Sequence, residues 1–441
     1  MRIKKMLMFL LVSVMVISSS VFASSGVAEA KTMKPYKGVG NYDNYGIEDK
    51  HDSFLFDNGK GFTRIEYAIA KDKVLAEKYT YKFKLKSRKW IKRKLKYFNY
   101  AYSGEKYNYL VFVRSNPNEK DSLTMVRVVK YDRNWKELGY ADLHDLGSIG
   151  VSINDMTEAN GFLYLHGFRE MYKTSDGSNH QSNITLQVRV KDISKAHKRL
   201  DDSFEGMFFV GHSWGQKIIT DRSGRLVAVS RGDGNPRAIK MDRVKVDHDK
   251  GMERVSATTN GVETEIVMKH GGSYAENRTY TGTEIGGLEF SGSGYLTAGA
   301  FIDQKRFDSG DSLNIFVAFT DYDQFGQNKS VVGKLTSVKR TAMHETGLPF
   351  LVKINKNRLA VMFMMKRFND NFHPFMNTQI IFINGKGKKI SRKVFKKKYM
   401  LSDCQPIAKG KYVYWYRSTK KDVTFYKMSS KGKVTRKVYK K

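Results

Sequence analysis

Apolar and polar residues alternate with a period of two along most of this chain. Tyr79, Tyr81, Phe83 and Leu85 alternate with Thr80, Lys82, Lys84 and Lys86. Tyr107, Tyr109, Val111 and Val113 keep the same rhythm, as do Leu186, Val188 and Val190, then Ile315, Val317 and Phe319, and finally Tyr412, Tyr414 and Tyr416. Successive side chains of a strand point to opposite faces, so this rhythm in β-branched and aromatic residues predicts half-buried strands. Turn pairs punctuate them at Asn58-Gly59, Asn160-Gly161, Ser223-Gly224, Asn384-Gly385 and Lys409-Gly410. Only residues 192–200 read as helical.

The strands come in repeated units. A turn followed by a strongly apolar strand recurs near Phe62, Tyr109, Leu163, Leu226, Leu296, Leu359 and Val413, a mean spacing of about 58 residues, close to a four-stranded blade plus loops. Most units then add a charged outer hairpin, at 79–95, 124–138, 184–191, 379–391 and 423–438, while 250–285 reads as an enlarged loop. The last unit is read as a polar strand over 401–407, a turn, and the apolar strand at 412–416. Such a unit cannot cover both its faces, and a tandem series of them closes into a ring. The expected fold is all-β, a single β-propeller of about seven four-stranded blades, with six or eight still open. Paired β-sandwiches seldom repeat one unit so often.

The N-terminus reads as an export signal. Arg2, Lys4 and Lys5 precede an apolar run from Met6 to Phe22, and Ala28-Glu29-Ala30 offers small residues for cleavage, with Ala23 as the alternative. The expected division is a signal peptide at 1–30 and a propeller domain at 31–441. No later run is apolar enough to span a bilayer, so no transmembrane segment is expected in the mature chain, which is placed outside the cell or at the cell wall. Six prolines and no Ser- or Pro-rich tract argue against flexible linkers. The single cysteine, Cys404, excludes an internal disulfide and reads as a small buried hydrophobe on an inner strand.

Charge changes the picture most. The formal net charge is +34, far enough from neutrality to draw polyanions. The basic residues cluster. Residues 82–96 contain Lys84, Lys86, Arg88, Lys89, Lys92 and Arg93, and residues 386–398 contain Lys388, Lys389, Arg392 and Lys393, with no acid in either stretch. The tail adds Lys433, Arg436 and Lys437. These stretches belong to the first, sixth and seventh units, which a closed ring makes neighbours. Lysine also guards exposed strand edges against pairing, which accounts for lysine at edges but not for the missing acids.

Motifs for catalysis are weak. Gly211-His212-Ser213-Trp214-Gly215 fits the nucleophile elbow G-x-S-x-G, but the elbow requires a following helix, and the residues after it are β-branched and end in a turn, which predicts a hairpin. A polar cluster is the better reading: His212, Gln216, Arg231, Asp233 and Arg237 lie where inner strands and loops would surround a central channel, and Arg there could grip a carboxylate or sugar. Asp321-x-Asp323-x-x-Gly326 opens like a calcium loop, but Val332 stands where the closing Glu belongs. No histidine pair has metal-binding spacing, so neither a metal nor a cofactor is expected.

Several strings together resemble a group of exported, β-propeller-like proteins of Gram-positive bacteria. They are His212-Ser213-x-x-Gln216 with Gly232-Asp233-x-x-Pro236-Arg237, Gly286-Gly287-Leu288-Glu289-Phe290 with Tyr295-Leu296-x-Ala298-Gly299, Asn314-Ile315-Phe316-Val317, Leu351-Val352-Lys353-Ile354, and Leu401-Ser402-Asp403-Cys404-Gln405-Pro406-Ile407. The resemblance covers roughly 205–427 and implies secretion and fold, not catalysis. The expected function is a secreted, monomeric, non-catalytic binding protein whose basic rim holds an anionic polysaccharide or teichoic acid of the cell envelope or matrix, with nucleic acid bound only non-specifically. One alternative is a lyase or glycosidase acting on acidic polysaccharide, with Tyr280, His212, Arg231 and Arg237 as candidate groups. A second is an extracellular scaffold with a protein partner.

Overall fold

The computed structural model describes residues 33–37, 52–194, 197–199, 215–232, 237–246, 262–269, 283–301, 314–338, 344–367, 375–395 and 399–440. The signal segment, His212 and Asp233 lie outside these. The described strands form seven antiparallel sheets, each built from consecutive strands. Blade 1 is β1 (Ser53–Asp57), β2 (Phe62–Ala68), β3 (Lys73–Tyr79) and β4 (Leu85–Lys92). Blade 2 is β5 (Tyr97–Ser103), β6 (Asn108–Val113), β7 (Val126–Tyr131) and β8 (Glu137–Leu143). Blade 3 is β9 (Ser148–Ala159), β10 (Phe162–Lys173), β11 (Asn179–Arg189) and β12 (His197–Arg199). Blade 4 is β13 (Lys217–Thr220), β14 (Leu226–Gly232), β15 (Ala238–Val244) and β16 (Val262–Lys269). Blade 5 is β17 (Thr283–Phe290), β18 (Gly294–Phe301), β19 (Asn314–Asp321) and β20 (Val331–Lys334). Blade 6 divides its inner position between β21 (His344–Thr346) and β22 (Phe350–Asn355), both paired to β23 (Arg358–Arg367), followed by β24 (Phe375–Ile383) and β25 (Lys389–Phe395). Blade 7 is β26 (Ile407–Lys409), β27 (Tyr412–Ser418), β28 (Asp422–Ser429) and β29 (Val434–Lys440). Apart from 3-10 geometry at Ile69–Lys71 and at Tyr399, the described residues hold no helix.

The alternation of side chains explains why these sheets form a ring. In β6, Tyr109, Val111 and Val113 pack on blade 3, while Leu110 and Phe112 pack on blade 1. In β27, Val413 and Trp415 face blade 6, and Tyr414 and Tyr416 face blade 1. Seven apolar clusters result, each shared by two adjacent blades, in an unbroken sequence from blades 1 and 2 round to blades 7 and 1. Second strands are therefore covered on both faces and read as near-continuous apolar runs, such as Asn-Tyr-Leu-Val-Phe-Val in β6. The seven repeat positions of the sequence all fall on these second strands. The structure is a seven-bladed β-propeller.

Four sequence expectations fail for local reasons. The alternating run through 79–86 is broken: β3 ends at Tyr79 and β4 starts at Leu85, with a turn closed by Phe83 N–H to Thr80 O (2.8 Å) and Thr80 N–H to Lys84 O (2.9 Å). Phe83 and Tyr81 keep their apolar role there by packing on Phe62. Residues 191–194 form turns and 197–199 a strand on β11 in place of a helix. The supposed loop at 250–285 supplies β16, because β15 needs an outer partner. Finally, 401–406 is irregular, and only Ile407–Lys409 joins the sheet. Ser402 spends its hydroxyl on Tyr416 O (2.7 Å) and Asp403 spends its carboxylate on blade 1. Cys404 is buried, and burial holds its thiol well above its usual range, which leaves it unreactive.

Among the described residues no strand is exchanged at the seam between blade 7 and blade 1, and side chains tie the two blades together. Asp403 accepts from the Asp52 N–H (2.7 Å) and the Ser53 hydroxyl (2.5 Å), the Tyr416 hydroxyl donates to Ile65 O (2.8 Å), and Lys409 pairs with Asp57 (2.5 Å). Below them, Arg64 is fully buried beneath the Tyr416 ring and donates to Glu77 (2.7 Å), Glu66 and Ser418 (3.2 Å). Phe62 on Tyr414 (4.6 Å between centroids) and Tyr79 on Phe425 (4.7 Å) complete the joint.

A buried histidine joins blades 3 and 4. His166 Nδ1 lies 2.8 Å from Thr185 Oγ1 and Nε2 lies 3.0 Å from Ser230 Oγ. Burial, aided by the charge of Lys217, pushes its pKa down to about 3 from an ordinary 6.5. The unfolded chain therefore takes up the proton first on acidification, and stability falls as pH drops below 6.5. Between pH 7.5 and 5 this group alone is expected to remove about 2 kcal/mol. Urea titrations across that range should show a shallower acid loss in His166→Gln than in wild type, and equal slopes would contradict the assignment.

Candidate functional site

Two places combine accessible chemistry with a defined geometry. The first is the outer rim of blades 6, 7 and 1. Of their outermost strands, β25 and β29 are mostly exposed and β4 exposes half of its residues. With its preceding turn, each presents five exposed cations: Lys82, Lys84, Lys86, Lys89 and Lys92 in blade 1, Lys386, Lys388, Lys389, Arg392 and Lys393 in blade 6, and Lys431, Lys433, Arg436, Lys437 and Lys440 in blade 7. No acid interrupts any of the three stretches. Of the other four outer strands, the short β12 and β20 carry no acid, whereas β8 carries Glu137 and Asp142 and β16 carries Glu263 and Glu265. There Arg127 pairs with Asp142 (2.5 Å) and Arg243 with Glu263 (2.7 Å).

The three basic edges are in contact. Lys393 of blade 6 lies on Gly432 in the β28–β29 turn so closely that a Cβ there would come within 2.9 Å of its Cγ. Arg358 donates to Ser430 O (2.8 Å) across the same joint. On the other flank, the Tyr439 hydroxyl of β29 donates to Phe83 O in the turn before β4.

Not every expected member of the patch is available. Arg88 is half-buried and paired with Glu77 (2.6 Å), and Arg93 is paired with Asp72, holding that carboxyl below its usual range together with the Tyr67 hydroxyl. Both serve blade 1 internally. Lys89 donates to Trp135 O (2.6 Å) and so reaches toward blade 2.

The second place is the central channel. A cavity of about 260 Å³, partly open to solvent, is lined by residues of all seven blades, among them Phe54, Tyr100, Asp155, Lys217, Glu289, Leu351 and Gln405. Inner strands converge here, and two glycines let them do so. A Cβ on Gly286 would meet Pro349 O at 2.0 Å, and one on Gly287 would meet the Leu351 Cβ at 2.5 Å, so blades 5 and 6 approach this tightly only with glycine at both positions. Asp155 accepts from the Ile218 N–H (3.0 Å), the Met156 N–H (2.9 Å) and the Tyr100 hydroxyl (3.1 Å). Burial raises its pKa, against the opposing pull of Lys217 and these donors. Glu289 accepts from the Lys353 N–H (3.2 Å). Burial pushes its pKa up to about 7, with Lys353 opposing and Asp155 adding to the rise.

The described members of the expected channel cluster, Gln216, Arg231 and Arg237, are not among the residues lining this cavity. Gln216 is buried and donates to Asn183 (2.7 Å) of blade 3, and Arg231 is buried against Glu284 (2.9 Å) and Thr283 O (2.7 Å) of blade 5. Both are ties between blades. Arg237 is half-buried just before β15 and does not border the cavity. Asp155, Lys217, Glu289 and Gln405 line the cavity instead. Glu289 and Gln405 stand inside two of the strings quoted for the family resemblance, where a lone polar residue amid Gly-Gly-Leu and Cys-Gln-Pro was the available signal.

Among the described residues, no helix is long and apolar enough to cross a membrane. No family model matches the sequence, and no curated protein matches it. Solved structures with a similar course of the chain include the polysaccharide lyase Uly1 (9% identity, TM-score 0.49, covering 92% of this chain and 91% of that one). They also include a PL25 ulvan lyase (12% identity, TM-score 0.47, 76% and 81%) and a quinonprotein alcohol dehydrogenase-like protein from Bacteroides thetaiotaomicron (10% identity, TM-score 0.43, 82% and 68%). Likenesses this distant carry no functional reading.

Proposed function

We propose that this protein is an exported, non-catalytic binding protein that holds anionic polymers of the cell envelope or matrix, teichoic acids or acidic polysaccharides, on the rim of blades 6, 7 and 1. The observation that carries this reading is the run of three touching edge strands with five exposed cations each and no acid between them. Edge protection alone calls for lysine on outer strands but not for the absence of acids, and β8 and β16 carry two acids each. A flexible polyanion laid across the rim would meet cations from three neighbouring blades in turn and release its counterions on binding.

The test is retention of the full chain on immobilised heparin and on immobilised teichoic acid in a rising salt gradient. Elution above physiological ionic strength is expected, and elution below it would overturn the reading. New reducing ends or double bonds appearing in uronate polymers incubated with the protein would move the assignment to a lyase or glycosidase.

A further inference from the structure

The channel cavity has a chemistry unlike the rim, and it calls for a different ligand. Its charges are offset from two directions: Lys217 acts on Asp155 within the lining, and Lys353, outside the lining, acts on Glu289. Its volume, about 260 Å³, lies just under the roughly 300–1,000 Å³ of sites that take drug-sized molecules. Hydrogen-bonding capacity is left over on one side. Glu289 uses one carboxylate oxygen on the Lys353 N–H, and its Oε2 has no hydrogen-bond partner among the described residues. Gln405 uses its Nε2 on Leu351 O (3.3 Å), which leaves its Oε1 in the same condition. Aromatic residues of blades 1 and 2 line the same cavity, Phe54 and Tyr100 edge to face at 4.9 Å together with Tyr102.

We propose that this cavity binds one uncharged, polyhydroxylated ring of monosaccharide size. Glu289 Oε2 and Gln405 Oε1 accept its hydroxyls, and the aromatic wall covers its C–H face. Spare acceptors require a ligand rich in donors, which hydroxyls supply. A cation would meet Lys217 within a chain of formal charge +34, and an anion would meet Asp155 and Glu289. Either would be buried with an unbalanced charge, while a neutral ring adds none. The site stands apart from the basic rim, so it is a second binding function and does not depend on polyanion capture.

The test is a calorimetric titration of the full chain at about pH 8.5, above the Glu289 pKa of about 7 so that this carboxylate accepts, with glucose, galactose, rhamnose and N-acetylglucosamine, and with glucuronate and choline as charged counterparts. At least one neutral sugar is expected to saturate the protein. Glu289→Ala should weaken it at least about tenfold and Glu289→Gln, which keeps an acceptor, by less. Ile219→Trp, which fills the cavity from blade 4, should abolish it while salt-dependent retention on heparin stays as in wild type. If Ile219→Trp does not fold, the ordering of the two Glu289 variants decides alone. Failure of all four sugars to saturate, equal affinity in the Glu289 variants, or saturation by glucuronate or choline alone would overturn the proposal.

Discussion

Arg64→Ala is expected to lower the free energy of unfolding by about 3–5 kcal/mol, the usual result of removing one partner from a buried ion pair. Arg64 is wholly enclosed and stands between Glu66 and Glu77, both equally enclosed. Without the guanidinium, two carboxylates face each other away from water, and Glu77 keeps Arg88 (2.6 Å), the Tyr79 hydroxyl and the Tyr36 N–H (2.9 Å) as partners, none of which replaces the cation between the two acids. The location multiplies the consequence. Arg64 reaches Ser418 and lies under Tyr416, so the substitution also loosens the joint that closes the ring. Many rings of sheets could lock such a joint by building one blade from both chain ends, but here blade 1 and blade 7 are each built from one end. Urea denaturation followed by tryptophan fluorescence will report this, since Trp415 is buried in blade 7. A loss below about 1 kcal/mol, the scale of an exposed pair, would mean the cluster does not hold the seam.

The second large effect is on binding. Changing Lys84, Lys86, Lys389, Lys393, Lys433 and Lys437 together to Gln should reduce affinity for heparin about a hundredfold or more at physiological salt, because each lost contact also forfeits counterion release. All six are exposed, so the fold should be indifferent to the change. The matching control removes six exposed lysines from blades 3 to 5, Lys173, Lys191, Lys245, Lys269, Lys329 and Lys334, for the same change in net charge. If net charge alone drew the polymer, the two variants would weaken equally. The rim account requires the first to weaken far more.

The sequence made the ring legible because its signal is local. A second strand flanked by two blades must be apolar on both faces, and all seven such strands announced themselves, from Phe62 in β2 to Val413 in β27. The basic sector was legible for a related reason: only closure is needed to bring three acid-free hairpins side by side. Arg88 and Arg93 were misjudged because their acidic partners, Glu77 and Asp72, lie on or just before the adjacent strand β3 rather than in their own stretch. The channel was the hardest to foresee. Each blade gives it one or a few residues, and whether an inner-strand side chain faces the channel or a neighbouring blade depends on register. Gln216 and Arg231 turned to neighbouring blades, while Asp155 and Glu289 turned to the cavity. A hairpin break such as the one at Phe83, where φ is +59°, likewise leaves the period of two intact and so hides from a pattern reading.

The most direct measurement of a single polyanion-binding flank across the seam is the slope of log affinity against log salt for a heparin fragment, taken strand by strand. Wild type should show a steep negative slope. Neutralising the exposed lysines of β4, of β25 or of β29 singly should each flatten it by a comparable share, and all three together should leave little of it. A shallow wild-type slope, or flattening confined to one strand while the other two have no effect, would contradict the account.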